Sequence, residues 1–90
     1  MVKKPRQLEK IIKGFDNHRR IQILELLAKE PELSLFEIAD ELDADFRVIH
    51  EHVRRMVSAG LVLKRREKFS VRHTLSNRGK RVLSFIRNLE

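Results

Sequence analysis

Nine side chains in this sequence have the types and spacing to meet a polyanion that also carries amino groups: Arg47, His50, Glu51, Arg54 and Arg55, followed by Arg65, Arg66, Lys68 and Arg72. Guanidinium groups pair two-pronged with phosphates and with the major-groove edge of guanine, an ammonium meets phosphate as a point charge, and a carboxylate can accept from the amino group of cytosine. At about 100° per residue, Arg47, Glu51, Arg54 and Ser58 share one helical face, flanked by Val48 and Arg55 on one side and His50 on the other. Ile49, Val53 and Met56 fall opposite, with Phe46 and Val57 beside them. A helix of this kind can rest its back on a core and lay its front into a DNA major groove about 12 Å wide. Spacing alone allows an ordinary solvated face equally well.

The location of the charge favours a polyanion. Residues 1 to 60 hold equal numbers of basic and acidic side chains, whereas residues 61 to 81 hold eight basic residues against the single Glu67. The whole net charge of +7 therefore lies in one strip beside the Arg-bearing segment. Such a strip steers polyanions and releases counterions when it meets phosphates. A membrane surface is also polyanionic, but no basic stretch here carries the large apolar face that inserts into lipid.

Other chemistries are poorly served. His50 and His52 are two apart on a helix and point about 160° away from each other, so they cannot share an ion. His18 and His73 have no acidic residue at ligand spacing. Glu37, Asp40, Glu41, Asp43 and Asp45 sit on and beside a short amphipathic segment, where a solvated face is the simpler reading than acid–base catalysis. No glycine-rich phosphate loop or nucleophile with a base nearby is visible, so an enzyme is not expected, nor a cofactor. The chain has no cysteine, no apolar run near the ~18 residues that span a bilayer, and no apolar core after Met1-Val2-Lys3-Lys4. A cytoplasmic protein is expected.

The elements that must hold these residues follow in order. Lys3, Lys4, Pro5 and Arg6 read as a tail, and Leu8, Ile11, Ile12 and Phe15 predict a helix over 6–13 stopped by Gly14. Residues 17–29 predict a second helix with Asn17 as N-cap and Ile21, Ile23, Leu24, Leu27 and Ala28 inward, ended by Glu30-Pro31-Glu32. Ser34 and Glu37 form a capping box opening a third helix, whose stripe is Leu35, Ile38, Ala39 and Leu42. Asp45 caps a fourth over 46–59 and Gly60 stops it. Residues 61–66 and 70–75 predict a hairpin, with Leu61, Leu63, Val71, His73 and Leu75 inward and Lys64, Arg66 and Arg72 on the opposite face. Its turn near Glu67-Lys68-Phe69 has no glycine, which predicts a long or strained tip. A last helix from Ser76 or Asn77 carries Val82, Phe85, Ile86 and Leu89, with Leu83 beside them.

Leu42, Ile49, His52-Val53, Met56 and Ala59-Gly60-Leu61-Val62 together resemble the recognition region of the ArsR-like and MarR-like winged-helix regulators of bacteria and archaea, which show a vsxHLxxLxxaGLV pattern. Upstream, residues 17–27 are similar to their xxxRlxILxxL helix, with Arg20 at the Arg position. Downstream, Leu75-Ser76-Asn77-Arg78-Gly79 is similar to the LTxxG that closes their wing. The likeness runs over about residues 15 to 85 in one order without gaps. Asp43 stands where a Gly is usual, the wing has no Gly, and Phe46, Val48 and Glu51 replace small polar residues. Sequence preference is therefore not inherited.

The resemblance implies a mainly α fold with a small β-hairpin: a winged helix-turn-helix of four helices, a hairpin wing and a fifth helix. One domain over 1–90 is expected, with 34–60 the helix-turn-helix, 61–76 the wing and 77–90 the C-terminal helix. The implied function is a transcriptional regulator of double-stranded DNA, a repressor by occlusion, with Arg47, His50, Glu51 and Arg54 on base edges. Arg55, Arg65, Arg66, Lys68 and Arg72 would lie on phosphates or in the minor groove. A homodimer through Leu8, Ile11, Ile12, Phe85, Ile86 and Leu89 is expected, since these are a large apolar load for the ends of a small domain. The resembled metal sensors use cysteines on the first helix of the central pair, or Asp and His on the last helix. Neither set is present, and no metal is expected. The alternative is a winged-helix module that binds protein in transcription or replication machinery, supported by the acidic cluster and Val48.

Overall fold

A computed structural model of the protein describes residues 18–89. The helix expected over 6–13, the Asn17 cap, and Leu8, Ile11 and Ile12 lie outside the described residues. The described elements are α1 (His18–Lys29), α2 (Leu35–Glu41), α3 (Phe46–Ser58), β1 (Val62–Arg66), β2 (Val71–Leu75) and α4 (Asn77–Asn88).

Helix α1 is the scaffold on which α3, β2 and α4 rest. It buries Ile23, Leu24, Leu26 and Leu27, while Ile21 is only half-buried and Ala28 is exposed, contrary to the sequence expectation for both. At about 100° per residue the four buried positions span an arc of about 160°, and Ile21 and Ala28 fall just past its edge.

The helix-turn-helix forms where the caps predicted it. The Ser34 hydroxyl accepts from the Glu37 amide at 3.2 Å, and the Glu37 carboxylate accepts from the Ser34 amide at 2.8 Å. Helix α2 then buries Ile38 and Ala39. Asp43 has a φ of 49°, the left-handed conformation that the junction demands and that Asp tolerates. The Asp45 carboxylate accepts from the amides of Arg47 and Val48 and opens α3, which buries Ile49, Val53 and Met56. Gly60, at φ 77°, ends it.

In the hairpin, Val62 pairs with Leu75, Lys64 with His73, and Arg66 with Val71. Directly opposed residues of an antiparallel pair point to one face. Lys64 and Arg66 therefore share the face of Val71, His73 and Leu75, and Leu63, 52% exposed, lies with Arg65, Arg72 and Thr74 on the other. This corrects the expected faces of Leu63, Lys64 and Arg66, while Arg72 lies where expected. The physical reason is that Leu61 belongs to the turn. Its amide donates to the Met56 carbonyl and its carbonyl accepts from the Ser76 amide, so alternation starts one residue later, and a one-residue slip exchanges the faces. The turn at 67–70 closes with the Glu67 amide donating to the Ser70 carbonyl at 2.8 Å, and none of its residues has a positive φ. The tip is neither long nor strained.

Leu33 adds a third partner to the sheet. It makes an antiparallel bridge to His73 on the outer edge of β2, a contact the sequence did not predict. The other end of the hairpin is fastened to α4 by Ser76, which caps that helix by accepting from the Gly79 amide and donates its hydroxyl to the Gly60 carbonyl at 2.6 Å. A Cβ on Gly79 would stand 2.2 Å from the Leu61 carbonyl oxygen, so glycine lets α4 close on the start of the wing. Leu83 enters the core, Val82 and Ile86 pack against it, and Phe85 and Leu89 remain exposed.

Candidate nucleic-acid interface

The apolar back of α3 is pinned to the core, which fixes its front. Arg47 stands at the start of that front with its side chain 91% exposed, near Asp45 at 3.8 Å. One turn on, Glu51 accepts from Arg54 through both oxygens, at 3.0 and 2.8 Å, and from Arg55 at 2.7 Å. Those two hydrogen-bonded guanidinium groups hold the Glu51 carboxyl down at about 2. The same bonds push the Arg54 guanidinium above its ordinary value. Val48 is exposed on this front, and His50 stacks on Phe46 with ring centres 6.2 Å apart. Phe46 in turn stacks on the exposed Phe36 of α2 at 4.4 Å.

The wing carries a second set of cations. Arg65 is held by Glu32 and by Glu67, the latter at 2.9 Å. Arg72 donates to the Glu37 carboxylate at 2.7 Å, crossing from the wing to α2. The Glu37 carboxyl is lowered first by its hydrogen bonds to Ser34 and then by Arg72. Arg66 has no ion pair with a described residue, and Lys68 lies over the ring of Phe69, 5.6 Å from its centre. Phe69 itself, at the tip, is 91% exposed.

One flank of α3, the start of α2 and the wing border a cleft of about 410 Å³, lined by Ser34, Leu35 and Phe36, by Phe46, His50, Val53, Arg54 and Val57, and by Lys64, Phe69, Ser70, Val71 and His73. None of these lining residues is acidic. Among the expected site residues, His50 and Arg54 line the cleft, Arg47 and Glu51 line a shallower hollow of α3 with Val48 and His52, and Arg55, Arg65, Arg66, Lys68 and Arg72 line neither. The sequence reading missed the aromatic stack and the carboxylates that hold the arginines. Glu51 with Arg54 and Arg55 is legible as an i,i+3 and i,i+4 set. Glu32 and Glu37 are more than thirty residues from Arg65 and Arg72, and no local signal links them.

His52 and His73 serve the scaffold, and His73 holds the Leu33 carbonyl beside β2. His52 accepts at Nδ1 from Arg20 Nε at 3.1 Å, joining α3 to α1, and burial followed by the charges of Arg20 and Arg19 lowers its pKa. Arg19 donates to the Leu42 carbonyl at the end of α2, and Arg78 to the Ala59 carbonyl at the end of α3. Among the described residues no three His, Asp or Glu side chains gather as a metal site requires. No helix among them is long and apolar enough to cross a membrane.

A family model described as winged helix-turn-helix DNA-binding matches residues 16–62, a span that takes in α1, α2, α3 and the first residue of the hairpin. The chain belongs to the winged helix-turn-helix DNA-binding family. Among solved structures, this winged-helix protein is similar to reduced HlyU from Vibrio cholerae, with 33% identity and a TM-score of 0.72 over 87% of this chain and 79% of that one. It is also similar to the homodimeric winged helix-turn-helix domain of Mb0332 from Mycobacterium bovis, a possible ArsR-family transcriptional regulator. The identity is 24% and the TM-score 0.76, over 99% of this chain and 89% of that one. Apo MarR from Escherichia coli shares the fold at 15% identity and a TM-score of 0.78, over 89% of this chain and 62% of that one. No curated protein matches the chain. The resemblance to ArsR-like and MarR-like regulators, the mainly α fold with its hairpin wing, and DNA binding in transcription regulation thus agree with the family match and with these neighbours.

Proposed function

We propose that this winged-helix protein is a homodimeric repressor that occupies a specific duplex site and blocks access to it. Helix α3 lies in the major groove, with Arg47, His50, Glu51 and Arg54 toward base edges. Arg55 and the wing residues Arg65, Arg66, Lys68 and Arg72 meet phosphates or the adjacent minor groove. The observation that carries this reading is the exposed Arg-bearing front of α3, with its buried back fixed on the core, next to a cleft between the flank of α3 and the wing that has Arg54 and Lys64 in its lining and no carboxylate. The apolar walls of the cleft suit deoxyribose and its cations suit phosphate. The homodimeric state of the Mb0332 domain supports the two-fold form.

The test is fluorescence anisotropy with a labelled random duplex at several salt concentrations, using the parent and an Arg66→Glu/Lys68→Glu variant. The parent is expected to bind with steep salt dependence. The variant should bind at least about tenfold more weakly, with a salt slope shallower by about two, near the loss of two phosphate contacts. Absence of parent binding at low salt would sink the reading and leave the protein-interaction module, for which the exposed Phe36 and Val48 would be the surface to probe.

A further inference from the structure

Five of the seven cations assigned above to DNA contact through guanidinium or ammonium groups are already engaged by carboxylates of the same chain. Arg47 has a single loose pair with Asp45, and on the wing Arg65 meets Glu32 and Glu67 while Arg72 meets Glu37 and, at 3.8 Å, Glu67. Glu51 is different because it stands in the middle of the α3 front and hydrogen-bonds two guanidinium groups there at once. Its two oxygens take the Nε and Nη2 of Arg54 in the two-pronged geometry that a phosphate would otherwise occupy, and one of them also takes the Nε of Arg55. A phosphate that takes the Nε–Nη2 edge of Arg54 must therefore displace the carboxylate, and one that binds the remaining Nη donors of Arg54 or Arg55 sits close to the Glu51 charge and is repelled by it. The displaced carboxylate then faces a polyanion with no donor. The exchange is favourable only where the duplex offers Glu51 a hydrogen-bond donor of its own, and in the major groove that donor is an amino group, as on cytosine.

We propose that Glu51 gates DNA binding: it holds Arg54 and Arg55 off arbitrary phosphates and frees them where a base-edge amino group takes their place. This inference rests on the reading of α3 as the helix that enters the major groove. It assigns Glu51 as a specificity-determining residue that works by repulsion as well as by contact.

The decisive variant is Glu51→Gln, which keeps the shape and removes the charge, with Glu51→Asp as a charged control. Each is titrated by anisotropy against a labelled random duplex at several salt concentrations, and each is used to select from a random duplex library. Circular dichroism confirms folding, and the exposed pairs leave the thermal midpoint essentially unchanged. Glu51→Gln is expected to bind the random duplex about tenfold more tightly than the parent, with a salt slope steeper by roughly one to two as the two arginines reach phosphates. Its selected sequences should lose the cytosine preference that the parent and Glu51→Asp retain. Equal or weaker binding by Glu51→Gln at an unchanged slope would overturn the gate and make Glu51 a residue that merely positions the arginines. Failure of both folded parent and variant to bind at the lowest salt would instead overturn the DNA-binding reading, and the gate with it.

Discussion

His73 is the least exposed titratable side chain among the described residues, at 2%. Its Nδ1 lies 2.9 Å from the Leu33 carbonyl, which can only accept, so the neutral ring carries its proton on Nδ1. Burial lowers its pKa below the ordinary 6.5, the Leu33 contact opposes the shift, and Lys64 across the hairpin adds to it. His52 is shifted in the same direction. In both cases the unfolded chain takes up a proton before the folded one as pH falls. The stability they contribute is whole above the unfolded value of about 6.5 and is lost as pH drops from there toward the lowered folded value. The urea midpoint should therefore fall between pH 7.5 and 5.5, a window above the range of the carboxylates. His73→Gln should flatten part of that fall and His52→Gln another part. A midpoint independent of pH across this window would contradict the assignment of both rings as neutral.

At the scale of elements, α4 meets the wing through Gly79, where the backbone of one lies against the backbone of the other. Leu61 O is a carbonyl held by the Ser76 amide and cannot swing away from a new methyl group. Gly79→Ala should cost about 2–3 kcal/mol despite the better helix propensity of alanine, because overpacking at a fixed contact outweighs a helix gain of about 1 kcal/mol. A raised melting temperature in Gly79→Ala would show that the two backbones can part freely. How far elements were legible depended on how local their signals are. Ser34 with Glu37, Asp45 and Gly60 announce the ends of α2 and α3 within a few residues of themselves, and all three act as read. The hairpin did not yield its faces, because Leu61 and Val62 are both buried and only the hydrogen bonds of the turn decide where alternation begins. Leu33 pairs with β2 as a single residue, too short to carry a period. The site divides similarly. The cations of α3 and the wing were visible in sequence, whereas Arg65 with Glu32 and Arg72 with Glu37 exist only once the fold brings α2 beside the wing.

For the whole molecule the open matter is how many copies act together. One recognition helix reads only a few base pairs, and a two-fold pair reads two half-sites about 34 Å apart, which raises specificity as well as affinity. On α4, Leu83 faces the core of its own chain and the half-buried Ile86 packs against that core, while Phe85 and Leu89 are 39% and 46% exposed. Phe85 and Leu89 lie one turn apart on the side of α4 away from Leu83, and a second copy related by a two-fold axis would cover them. The expected interface also includes Leu8, Ile11 and Ile12, outside the described residues. Sedimentation at micromolar concentration should find the parent dimeric and Phe85→Glu/Leu89→Glu monomeric with its helical content intact, since neither residue belongs to the core. The monomer should keep its binding to random duplex per subunit, because α3 and the wing are untouched. It should lose at least about tenfold on a selected palindromic site, where the two half-sites no longer act as one. A monomeric parent, or a variant that remains dimeric, would remove α4 from the interface and leave the two-fold reading of DNA without its structural basis.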